Sequence, residues 1–104
     1  ANPDPGSISA VWAAWDQPAI GALQAIESAG RASEGIVITG IDANPQARDA
    51  IALAGNFEVS IAQDFAAMGA AAADVAARAI AGSEQRARVI YVPTKMITAN
   101  NAGQ

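Results

Sequence analysis

One pattern constrains this chain more than any other. A short apolar run, a polar turn and a helical-period stretch closed by glycine are repeated three times in succession. The first round reads Ser-Ala-Val-Trp-Ala-Ala-Trp from Ser9 to Trp15 and breaks at Asp16-Gln17-Pro18. A buried strand is expected there, followed by a helix. Asp16 is a natural N-cap for that helix, and Pro18 suits its first turn, where a missing N–H costs nothing. Ala19, Ile20, Ala22, Leu23, Ala25, Ile26 and Ala29 then recur at helical spacing as far as Gly30.

The second round predicts a strand over Ile36-Val37-Ile38-Thr39, a turn from Gly40 to Pro45, and a short helix from Gln46 to Ala54 ended by Gly55. The third predicts a strand from Phe57 to Ala62, a cap at Gln63-Asp64, and a long helix from Phe65 to Ala81 stopped at Gly82. Phe65, Met68, Ala72, Val75, Ala76, Ala79 and Ile80 form one stripe on that helix, which marks it for packing. Arg88 to Val92 is expected as a last strand before Pro93, with Thr94 to Asn101 trailing off extended.

Strands that alternate with helices of about 10–15 residues make βαβ units. The expected fold is therefore α/β, a parallel sheet flanked by helices. At 104 residues the chain holds one domain at most. Four short strands make a small sheet, whereas parallel sheets are normally covered on both faces. The expectation is a fragment of a larger lobe, with an exposed sheet edge open to pairing with another chain.

Composition narrows the function. Hydrophobic residues at 52% and charged residues at 15% give a folded chain rather than a disordered one. Ten acidic side chains against six basic ones leave a net charge of −4, and Arg31, Arg48, Arg78, Arg86, Arg88 and Lys95 are scattered. Without a basic face, no nucleic-acid partner is expected. Cysteine and histidine are absent, which excludes disulfides, thiolate nucleophiles, Cys/His zinc sites and Ser-His-Asp triads. Neither a dinucleotide glycine fingerprint nor a P-loop is present. No cofactor, no metal and no enzymatic activity are expected. Apolar stretches fall short of the roughly 20 residues of a membrane span. Residues Ala1 to Gly6 show neither the basic nor the apolar region of a leader, so a soluble chain is expected.

In open α/β sheets ligands bind beyond the carboxyl ends of the strands. Here those ends carry Trp15-Asp16, Asp42 and Gln63-Asp64. Carboxylates and amides serve hydroxyl groups, and an indole offers a flat apolar face, a set suited to a polyhydroxylated small molecule. Each residue also has a plainer reading. Asp16 and Asp64 are helix caps, Gln63 is a polar residue before a helix, and Trp12 or Trp15 is core. Asp42 is different, because Asn44-Pro45 already supplies the cap of the next helix.

The series Val11 to Gly30, then Gly40-Ile41-Asp42, then Ser60-Ile61-Ala62-Gln63-Asp64 with Gly69, and Val92-Pro93 to Asn100 resembles a known family. It is similar to the C-terminal part of a ribose-binding-like (type I) periplasmic sugar-binding protein of an ABC transporter. The resemblance implies part of a Rossmann-like C-terminal lobe over residues 1–104, with residues 93–101 similar to the hinge crossover. It implies sugar or polyol binding between two lobes, with Trp15, Asp16, Asp42 and Gln63 at the ligand, and delivery to a membrane permease without chemical change. The partners it implies are that permease and an N-terminal lobe. The location it implies is periplasmic, or extracellular and lipid-anchored. The family usually has Asn-Asp where this chain has Trp15-Asp16, so a stacking surface replaces an amide. The alternative is the effector domain of a sugar-responsive LacI-type repressor, which shares the fold.

Overall fold

The structure is a computed structural model that describes residues 4–83 and 89–104. Strand β1 (Ala10–Trp12) leads to helix α1 (Asp16–Ser28), a single 3-10 turn (Ala32–Glu34) and strand β2 (Val37–Ile41). Helix α2 (Pro45–Ala52), strand β3 (Phe57–Gln63), helix α3 (Phe65–Ile80) and strand β4 (Thr94–Ile97) complete the order. The sheet is ordered β1-β2-β3-β4. β1 with β2 and β2 with β3 run parallel, as expected, and with β4 the sheet is mixed. Two compact units divide the chain: residues 1–62 with 95–104, and residues 63–94.

The first unit holds the core. Ile36, Ile38, Phe57 and Ile97 are buried almost completely and form one cluster with Ala19, Ile20 and Ile26 of α1 and Ala47 and Ile51 of α2. Each such side chain contributes roughly 1.5–3 kcal/mol by leaving water. A register shift in the β2–β3 pairing shapes this face: Ile38 pairs with Phe57 but Thr39 pairs with Val59, so Glu58 is the extra residue of a bulge. Side chains three apart normally face opposite sides of a sheet. The bulge brings both Phe57 and Ser60 onto the core side, where each has no exposed surface.

Glycine closes two of the helices. At the end of α1, Gly30 has φ 68°, and the Arg31 N–H donates to Ile26 O (2.9 Å) while Gly30 N–H donates to Glu27 O (2.9 Å). Gly82 closes α3 the same way, with Ser83 N–H on Arg78 O at 3.0 Å. In α2 the left-handed residue is Ala54 (φ 53°), one before the expected Gly55, and the helix ends at Ala52.

Four expectations change. The first strand is three residues long, with Ala10 and Trp12 exposed, because the chain bends at Ala14-Trp15 and enters α1 at the buried Asp16. Asp16 is not the N-cap of α1: Trp15 holds that position without a side-chain hydrogen bond. In the second unit, α3 buries none of its residues, and Phe65, Met68 and Ile80 of the expected stripe are exposed. Alanine content, the Asp64 cap and the Gly82 stop form that helix without a covered face. The last strand is Thr94–Ile97, which follows Pro93 and anchors through buried Ile97. Of the expected strand, Arg88 lies outside the described residues, and residues 89–92 are not in a strand, with Val89, Ile90 and Tyr91 exposed.

Candidate functional site

At the carboxyl end of β2 the backbone turns sharply through Asp42 (φ 104°) and Ala43 (φ 52°). An L-residue in the left-handed region costs about 1–3 kcal/mol and persists only where its surroundings enforce it. Here the surroundings do so at every step. Asp42 N–H donates to Ile61 O at 2.8 Å. Ala43 N–H donates to Ser60 Oγ at 3.0 Å, and Ala43 O accepts from Arg48 Nε at 2.9 Å. Asn44 N–H donates to Asp16 Oδ2 at 2.8 Å, and Asn44 Oδ1 caps α2 by accepting from Ala47 N–H at 2.9 Å.

Asp16 joins this network from the first residue of α1. Its Oδ1 accepts a 2.6 Å hydrogen bond from the Ser60 hydroxyl, so one buried carboxylate ties the start of α1 to the turn after β2 and to β3. Gly40 makes room for it: a β-carbon there would lie 2.5 Å from Asp16 Oδ1 and 3.0 Å from the Phe57 ring.

The four expected site residues therefore divide. Asp16 is fully buried and faces protein on both oxygens. Asp42 is half-buried on the braced turn. Trp15, 52% exposed, extends from the start of α1, and Trp12 is exposed as well, so neither indole is core. Gln63, in the second unit, is the half-buried last residue of β3, next to Asp64, whose Oδ1 accepts from Ala67 N–H at 2.8 Å as the cap of α3. Sequence reasoning missed Ser60, Arg48 and the bracing role of Asn44. A lone serine in a β-branched strand and a lone glycine in the strand before it were the available signals.

Elsewhere in the first unit, a cavity of about 280 Å³ opens beside the end of α2, lined by Ile51, Gly55, Glu58, Val59, Thr98 and Asn100 among others. It shares no residue with the Asp16–Asp42 network. Among the described residues no cluster of acidic side chains could hold a metal ion, and no helix is long and apolar enough to cross a membrane.

Open α/β sheets bind ligands beyond the carboxyl ends of their strands, and comparison with known proteins gives the class. Residues 1–84 match the model of the periplasmic binding protein domain, and the chain belongs to that family. A Rhizobium meliloti protein named for rhizopine binding is 41% identical over 97 residues, covering 93% of this chain and 31% of its own length. An ABC transporter solute-binding protein from Agrobacterium vitis, solved with bound allitol, superposes with a TM-score of 0.83 at 33% identity, over 97% of this chain and 34% of that one. One from Bacillus halodurans, solved with bound myo-inositol, gives 0.74 at 31% identity, over 92% and 32%. This chain thus spans about a third of the length of these relatives. The relatives are substrate-binding proteins of sugar and polyol ABC transporters rather than enzymes, and the family implies an extracytoplasmic location.

Proposed function

We propose that this chain is part of the C-terminal lobe of the solute-binding component of an ABC importer. The whole receptor takes a sugar or polyol between two lobes and hands it unchanged to its permease, from the periplasm or from a lipid-anchored position outside the cell. The observation that carries this reading is the Asp42 turn: a strand-end aspartate on a left-handed backbone whose following peptide groups are held by fixed partners. A carboxylate so placed accepts two hydroxyl hydrogen bonds with little reorganisation on binding. Trp15 supplies a stacking face for the ring or carbon chain. Asp16 serves the site from behind, since it has no exposed surface.

An N-terminal lobe would complete the site, and residues 93–101 would form the crossover toward it. The exposed edge of β1 is where a further strand or a second chain would pair. The solved relatives described above are transporter receptors, which favours import over the repressor-effector alternative.

Calorimetric titration of the full-length protein with allitol, myo-inositol and a panel of pentoses and hexoses tests the reading. Micromolar binding of at least one, worth about −8 kcal/mol, weakened at least tenfold by Asp42→Asn, supports it. Loss of binding on Trp15→Ala but not on Trp12→Ala would place the ligand against the first of those indoles. Failure of every sugar and polyol to bind overturns the reading.

A further inference from the structure

We infer that Asp16 is the positioning residue for Asp42: its buried carboxylate, acting with Ser60, sets the backbone that aims the ligand-facing carboxylate. The inference rests on the proposed function and goes beyond it, because it assigns a binding role to a residue that cannot itself reach a ligand.

Three observations carry it. Asp16 has no exposed surface, yet it belongs to the first residue of a helix, where a side chain could equally turn to water. Both of its oxygens are committed, and their partners lead to the two peptide groups that follow Asp42: Asn44 N–H directly, and Ala43 N–H through the Ser60 hydroxyl. Those peptides belong to the segment in which Asp42 and Ala43 hold left-handed conformations that neither residue type prefers. Gly40 leaves room for the carboxylate where any β-carbon would collide with it, so the sheet itself is shaped around Asp16.

A carboxylate is the group this arrangement needs. It accepts at both ends, as the Asn44 N–H and the Ser60 hydroxyl both donate. Asparagine in its place keeps the shape but offers a donor at one end, and one of the two hydrogen bonds must reverse or break. The Asp42 turn then relaxes toward ordinary backbone angles, and its carboxylate moves off the ligand hydroxyls.

The test is a double-mutant cycle on the full-length protein, with affinities for allitol and myo-inositol read by calorimetry and melting temperature read alongside. Asp16→Asn is expected to weaken binding about tenfold in the native background and less than twofold in the Asp42→Asn background, while lowering the melting temperature equally in both. A residue that merely stabilises the fold would leave the affinity of the folded protein unchanged, or lower it by the same factor in both backgrounds, and either result overturns the inference. If Asp16→Asn does not fold, Ser60→Ala enters the same cycle with the same expectation, since it frees Ala43 N–H and leaves the Asn44 hydrogen bond in place. Should Asp42→Asn bind both polyols as the native protein does, Asp42 is no ligand contact. That result overturns the proposed role of Asp42 and the positioning role with it, and it is distinct from an intact Asp42 effect that Asp16 fails to share.

Discussion

Asp42 and Ala54 both hold left-handed backbone without being glycine, with φ of 104° and 53°, yet they do so in different company. Ala54 ends α2, is exposed, and its N–H donates to Ile51 O at 3.0 Å within the same turn. Its conformation is a local matter of closing a helix. Asp42, the buried Ala43 and Asn44 are held by Ile61, Ser60, Asp16 and Arg48, which reach them from β3, from the start of α1 and from α2. Strain that only ends a helix should be removable with profit, whereas strain enforced by several distant groups is built into what the turn presents.

The largest effect should come from breaking the bracket at its seat. Gly40→Ala would drive a methyl group against Asp16 Oδ1 and the Phe57 ring, with the Ala19 methyl 3.4 Å away on a further side. Overpacking together with displacement of a buried carboxylate should cost about 3 kcal/mol or more, read as a fall in the denaturant midpoint. A midpoint within experimental scatter of the native one would mean that Asp16 has room to move, and the bracket would be soft. Ser60→Ala comes next. It leaves Asp16 Oδ1 without its donor and Ala43 N–H without its acceptor, and should cost about 2 kcal/mol. A loss well under half of that would show water replacing the hydroxyl.

Smaller still is a direct contrast between the two left-handed sites. Ala54→Gly should raise stability by about 0.5 kcal/mol, because the left-handed penalty disappears and no buried contact is lost. Ala43→Gly should bring no gain, as the loss of a buried methyl, about 0.8 kcal/mol, offsets the relief. Equal gains at both positions, measured as melting temperatures, would erase the distinction between local and enforced strain.

Much of this fold was legible from alternation alone. β-branched runs at Ile36–Thr39 and Phe57–Ala62, and caps at Asn44-Pro45 and Asp64, lie within a residue or two of the observed elements. Less legible was Asp16, because an aspartate before a helical run looks the same whether it caps the helix or turns into the core. The bulge at Glu58 carries no local signature, and without it Ser60 reads as a residue of the opposite sheet face. The stripe on α3 and the apolar Val89-Ile90-Tyr91 run showed the other limit: periodicity reports that a face is apolar, not that anything covers it.

The smallest effect concerns a clamp that resembles the bracket chemically but not in its surroundings. Glu34 receives Arg31 Nε and Nη2, both at 2.8 Å, and Gly6 N–H at 3.2 Å, while Arg31 Nη2 also donates to Asp4 O at 3.2 Å. The clamp thus ties the first described residues to the turn before β2. The hydrogen bond from Arg31 holds the Glu34 carboxyl below its usual range, against the opposing effect of desolvation and with help from Gly6. A carboxyl with a lowered folded pKa contributes stability above its unfolded pKa, and loses it as pH falls through the folded value. Glu34→Gln should therefore melt slightly below the native chain at neutral pH, and the gap should close as pH drops below the ordinary carboxylate range, near 4. Added salt should narrow the same gap, since this pair is partly open to solvent. The cost of Ser60→Ala, which lies wholly within the buried bracket, should hold steady in salt. If salt reduces the two costs alike, the Asp16 bracket is no better shielded than a surface pair, and its claim to hold Asp42 in place weakens accordingly.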